Sequence, residues 1–321
     1  MAKPSPQLEQ RAGPGEPGEG GRRRPRPSAN RARRRGLSVD EIVNHPRLIP
    51  CVRRQAVALV AIHDGNPRIA SGFATLQRWL MAHAALAHYF RNASAETAEE
   101  LNTTKFIEAI ASRGVASRNT AHAFLKELLK YGHARSGPAG PDRRIRSIVA
   151  APITIAMTTT WLATHLTTLD GLDDGERCAT FLAWPQGLAA TQPLVADGLL
   201  RSIAIRKPAP AFSLFAWLNE GNILMDWLYS GLADFAPGCQ RIPSHVASYA
   251  DLAERIHLSR SHLSRKLRRA EEMGHLGWHG RRGKSTMWVS AEFVDEYHRQ
   301  QAIKLEIIDA AFRQALAGRG A

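Results

Sequence analysis

The sequence predicts a mainly α-helical protein with small β-hairpins, built as two tandem copies of one unit behind a basic tail. Three observations carry that expectation. The chain matches itself at one fixed offset, apolar residues recur at helical spacing on both sides of a short turn, and each copy follows its second helix with a Gly-His pair and a glycine-containing hairpin.

The self-match aligns residue 117 with residue 259 without a gap. Ser117-Arg118 falls on Ser259-Arg260, Leu125 on Leu267 and Gly132-His133 on Gly274-His275, at an offset of 142 throughout. Upstream, Ile110, Ala111 and Arg113 fall on Leu252, Ala253 and Arg255. Further upstream still, "SGFATL" (71–76) falls on "SLFAWL" (213–218) at the same offset. Matches so widely spaced at a single offset imply two copies of one fold, placed at 37–175 and 176–321 behind a tail at 1–36.

Each element of the second copy follows from local chemistry. "YADLAERI" (249–256) has apolar residues at helical spacing, and "HLS" makes a tight turn. Ser259 is a suitable N-cap, and Leu263, Leu267 and Ala270 give the next helix one buried stripe. Gly274 ends that helix. "GHLGWH", a basic tip "GRRGK" (280–284) and the β-prone "STMWVS" form a hairpin. A long amphipathic helix closes the copy, with Phe293, Tyr297, Ile303, Ile307, Ile308 and Phe312 on its apolar side. In the first copy, "TKFIEAIASRG", the turn "VAS", a helix from Asn119 to Tyr131, and the tip "RSGPAGPDRR" returning through "IRSIVAAP" run in the same order.

Charge points to an anionic partner. Residues 1–35 hold ten Lys or Arg against three Glu and carry half of the formal net charge of +14. Their glycine and proline content cannot bury a core, so this segment is expected to be disordered. "RRRPRPSANRARRR" attracts nucleic acid without reading sequence; a solubilising tail or a misassigned start remains the alternative. Cys51, Cys178 and Cys239 are too scattered for disulfides or zinc and read as reduced thiols of a cytosolic protein. No apolar run reaches the length of a membrane span, so no membrane partner is expected, and the tail is not a secretory signal.

Helix, short turn, helix and hairpin make a winged helix-turn-helix. "LAERIHLSRSHLSRKLRRAEEMGHLG" resembles the DNA-reading segment of bacterial winged-helix transcription regulators, the MarR-like families among them. That resemblance implies a sequence-specific double-stranded DNA-binding regulator in the cytoplasm, on the nucleoid. Such regulators pair two chains, whereas here both copies lie on one, which implies a monomer acting as an intrachain pseudo-dimer.

In this motif the second helix enters the major groove and its N-terminal residues touch base edges. At about 100° per residue, Ser261, Arg265 and Arg268 lie opposite the apolar stripe, flanked by His262, Ser264 and Arg269. Short hydroxyls bond phosphate or base edges, and arginine grips guanine bidentately. Arg281, Arg282 and Lys284 of the tip would lie over an adjacent backbone or minor groove. The first copy is poorer, since Ala123 and Glu127 stand where Arg265 and Arg269 do. It offers Asn119, Thr120, His122 and Lys126 on the helix and Arg143, Arg144 and Arg146 on the wing. Asn119 reads adenine, or this half merely positions the other. Arg260, like Arg118, contacts phosphate or bonds back to the preceding helix.

Other chemistries find no support in the spacing of residues. Thirteen His invite a metal reading, but "HAALAH" (83–88) puts its pair five residues apart, off one face, without carboxylates. Nucleophile elbows, phosphate-binding glycine loops and paired carboxylates are absent, so neither an enzyme nor a cofactor is expected. Trp79, Trp161, Trp184, Trp217 and Trp227 line an effector pocket or pack the long helices. A plasmid-type replication initiator, or a winged-helix module for protein interaction in chromosome organisation, are the rival functions.

Overall fold

The chain is mainly helical, with short antiparallel strands in each half. The first half holds α1 (Val39–Val43), α2 (Leu48–Gly65), α3 (Pro67–Ala70), a 3-10 turn (Ser71–Phe73), α4 (Leu76–Ala93), α5 (Thr103–Ser112) and α6 (Arg118–Lys130). A hairpin of β1 (Ala134–Ala139) and β2 (Arg146–Ala150) and the long α7 (Pro152–Asp173) complete it. The second half holds α8 (Arg177–Leu182), α9 (Gly187–Arg201), α10 (Ile203–Arg206), α11 (Pro210–Ala216) and α12 (Gly221–Ser230). It then adds β3 (Arg241–Pro243) before α13 (Tyr249–Arg255), α14 (Arg260–Glu272), β4 (Leu276–Trp278), β5 (Met287–Ser290) and α15 (Ala291–Gly318). This is a computed structural model, and it describes residues 35–93, 103–139, 146–216, 221–235, 238–255 and 260–319. Residues 1–34 of the basic tail, Trp217 and Ser259 lie outside them.

Several helix ends fall where the sequence supplies capping groups. Ser117 accepts a hydrogen bond from the Thr120 amide at 3.1 Å and opens α6. Gly132 and Gly274 take φ of 78° and 77° just beyond α6 and α14. In each case the next residue's amide reaches back: His133 donates to the Leu128 carbonyl and His275 to the Ala270 carbonyl, both at 2.9 Å. This is the glycine-terminated helix stop expected of both Gly-His pairs. Nothing lies within 4 Å of a Cβ placed at either glycine, so the left-handed backbone alone selects the residue.

Gly36–Ala321 forms one compact unit in which the halves interlock. α2 packs on α12 and α4 on α9; α2 also packs on α7 and α9 on α15; α1 packs on α15 and α8 on α7. Each contact has its counterpart in the other half, and α7 meets α15 at the centre. Leu162, Leu166 and Leu169 of α7 and Leu305, Ile308 and Phe312 of α15 are buried, each such side chain contributing about 1.5–3 kcal/mol. Of the apolar stripe expected on α15, Phe293, Tyr297, Ile308 and Phe312 are fully buried while Ile303 and Ile307 are partly so.

A partly buried ion cluster ties the ends of α7, α8 and α15. Arg177 donates to Asp170, Asp173 and Asp309, the last from Nε at 2.8 Å, and Arg313 pairs with Asp309, which is 1% exposed. Burial opposes ionisation at Asp173, but the hydrogen bonds and charge of Arg177 outweigh it and hold the carboxyl below its usual range.

The second hairpin is larger than its sequence suggests. β4 and β5 pair as expected, but β3 adds to the other edge of β5, giving a three-stranded antiparallel sheet in the order β3-β5-β4. "RIP" is too short, and its proline too unlike a ladder residue, to announce a strand. Ile242 is nonetheless buried opposite Val289, and Arg241 covers the Trp288 ring at 4.8 Å.

Candidate nucleic-acid interface

The cationic face of α14 is set by its buried one. Leu263, Leu267 and Ala270 are wholly buried beneath it, and α13 packs alongside with Leu252 inward. The opposite face is left to solvent: Ser261, Arg265, Arg268 and Arg269 are exposed and Ser264 is half-buried. Arg265 and Arg268 make no hydrogen bond or ion pair among the described residues. Arg269 is partly engaged, with Nη1 3.4 Å from Glu272, a surface pair worth about 1 kcal/mol or less. The side chains of Arg260 and His262 lie outside the described residues.

The tip between β4 and β5 is not uniformly free. Arg281 and Lys284 are exposed without a side-chain partner among the described residues. Arg282, expected to contact phosphate, instead donates its Nε to Glu271 of α14 at 2.7 Å and lies over the Tyr249 ring at 5.5 Å. It acts first as a brace.

Glu271 is the centre of that brace and was not legible as a functional residue. One carboxylate oxygen accepts the Trp278 indole N–H at 2.9 Å and the Tyr249 hydroxyl at 3.1 Å; the other accepts Arg282. Burial and then the Glu271 charge raise the Tyr249 hydroxyl pKa, so the hydroxyl remains a donor. Gly283 takes φ of 69°, and a Cβ there would meet the Tyr249 ring at 2.4 Å. The carboxylate thus joins α13, α14, β4 and the tip. At an offset of 142 the first half has Leu129, Ile107 and Ser136 in place of Glu271, Tyr249 and Trp278. That contrast was the available signal.

Removing this acceptor leaves three donors without it, so Glu271→Ala should cost about 1–3 kcal/mol. Urea unfolding measures the loss, and amide exchange across β4 and β5 should quicken while α7 and α15 stay protected. Unchanged exchange in the two strands would show that the carboxylate does not hold the tip.

The first half presents a different face. Asn119, Thr120, His122 and Lys126 are exposed on α6, above buried Ala121, Phe124, Leu125 and Leu128. The Thr120 hydroxyl is already bonded to Ser117 at 2.9 Å. Glu127, which stands where Arg269 stands in α14, pairs with Arg78 of α4, and Arg78 also covers the Phe124 ring at 5.6 Å. The substitution that removes a cation from the face therefore anchors the helix to the core. Arg143 and Arg144 lie outside the described residues, as does the side chain of Arg146.

What these surfaces can do is bind a polyanion. α14 and its tip place several unpartnered guanidinium and ammonium groups on one side of a firmly packed support. Among the described residues no group of three His, Cys, Asp or Glu could hold a metal ion, and no helix is long and apolar enough to cross a membrane. No family model, curated protein or solved structure matches the chain.

Proposed function

We propose that the chain is a sequence-specific double-stranded DNA-binding regulator, not an enzyme, acting at the nucleoid. In this reading it is a pair of winged helix-turn-helix units fused as an intrachain pseudo-dimer, with the second unit dominant. One observation carries the reading: Arg265 and Arg268 stand unpartnered on the face of α14 opposite its buried stripe, beside a tip braced by Glu271. Arginine held on such a helix can grip guanine in the major groove while the tip cations meet phosphate. The paired contacts of the two halves support the pseudo-dimer, because they are the contacts two subunits make about a two-fold axis.

The test is to sequence DNA recovered with the protein and to substitute bases across the footprint, with mass measurement of the complex. The expected site is an imperfect inverted repeat holding one chain, with half-sites about 34–36 Å apart. The half read by α14 should tolerate little change, and the half facing α6 should be loosely specified or recognised through DNA shape. Several tandem copies of one site would instead identify a replication initiator. Salt-sensitive coating without a preferred site would remove sequence reading from the assignment.

A further inference from the structure

Among the interlocked helices lies a cavity of about 200 Å³, lined by residues of both halves. For scale, an engineered apolar cavity of about 150 Å³ admits benzene. One side is apolar, with the rings of Trp79 and Trp161 meeting edge to face, centroids 6.0 Å apart and planes inclined at 63°. Trp184 and Trp227 pack elsewhere, against Arg319 and His245. The other side is polar: Tyr297, Gln300 and Lys304 line the cavity at helical spacing along α15, and Asp226 faces it from α12.

Two charges distinguish this space from a packing void. Lys304 is partly buried, lines the cavity and makes no hydrogen bond or ion pair among the described residues. Asp226 is 7% exposed and accepts the Tyr297 hydroxyl at 2.5 Å, but it pairs with no cation. Opposite charges therefore line one cavity without joining each other. Burial raises the pKa of the Asp226 carboxyl and lowers that of the Lys304 amine, and the attraction between the two charges offsets only part of either shift. His83, which also lines the cavity, is pushed down to about 3 by burial and then by Lys304, so it adds no charge.

A lone carboxylate in the cavity would satisfy Lys304 and leave Asp226 unpaired; a lone amine would do the reverse. A molecule with both groups beside a flat apolar body satisfies both. We propose that this cavity binds an aromatic α-amino acid, its carboxylate on Lys304, its ammonium on Asp226 and its ring against Trp79 and Trp161. The assignment rests on the cavity alone and not on DNA binding.

Calorimetric titration of the full chain with L-phenylalanine, L-tyrosine and L-tryptophan tests it, alongside indole-3-propionate and tryptamine, which each lack one charge. At least one amino acid should bind, and each single-charge analogue should bind about tenfold or more weakly than tryptophan. Asp226→Asn, which still accepts from Tyr297, should erase the advantage of tryptophan over indole-3-propionate. Lys304→Met should erase its advantage over tryptamine. If either variant fails to fold, the analogue series on the unaltered chain decides. Absence of binding by all three amino acids at millimolar concentration overturns the proposal, as does indole-3-propionate binding as tightly as tryptophan.

Discussion

Replacing Arg265 and Arg268 together by alanine should abolish discrimination between the preferred site and random DNA. Each guanidinium that grips a guanine edge is worth about 1–3 kcal/mol of discrimination, so the double change removes most of a typical specificity margin. Both side chains project from the exposed face and bond to nothing among the described residues. Thermal stability should therefore move by no more than about 0.5 kcal/mol. Competition binding at fixed salt, paired with a melting curve, separates the two effects. Lys126→Ala on α6 supplies the contrast: it should weaken all DNA alike, because an ammonium on phosphate carries no sequence information. A double variant that retains its footprint would remove α14 as the reading helix, and one that unfolds would show that its arginines are structural.

The fold should lose stability steeply as pH falls below about 6.5, through histidines buried in neutral form. Burial, then Lys304, pushes His83 down to about 3; burial pushes His298 down to about 4; burial and Lys304 hold His165 well below its usual value. The unfolded chain takes up a proton on each near 6.5, whereas the folded chain resists until far lower pH. Between those values the unfolded state binds more protons, so stability rises with pH and is lost as pH falls. Each histidine contributes about 1.4 kcal/mol per pH unit across that window. Asp226, raised by burial, protonates more readily folded than unfolded and offsets part of the loss in the most acidic range. Urea unfolding at pH 7, 6 and 5 measures the slope, and a constant unfolding free energy across that range would contradict the neutral buried state. His298→Gln should reduce the slope by about one proton, since its ring meets the Tyr229 hydroxyl at 2.6 Å inside the core.

Legibility along the chain followed the range of the interactions. The stripe of Leu263, Leu267 and Ala270 and the two glycine stops depend on neighbours within one or two helical turns, and all were readable from spacing. The cationic face of α14 followed at once, as the complement of that stripe. β3 was not readable, because three residues ending in proline carry no strand pattern of their own and pair only when β5 arrives from 44 residues or more downstream. The role of Glu271 was hidden likewise. Its donors Tyr249, Trp278 and Arg282 come from three separate elements, and only their meeting makes a brace for the hairpin tip from what spacing showed as one acidic residue on a basic helix.

The sequence by itself determined a mainly helical chain with small antiparallel strands, because helix starts, stops and buried stripes are local. Only the tertiary structure decided how the halves engage: α2 crosses to α12 and α4 to α9, so Gly36–Ala321 shares one core. Apolar stripes specify that a helix must be covered but not by which partner, since hydrophobic burial is non-directional. The same limit hid the cavity. Lys304 on α15 and Asp226 on α12 read as ordinary polar residues of amphipathic helices until interlocking turned both toward one cavity. Whether a charge is solvated or trapped depends on what packs above it, and that is a property of the assembled core.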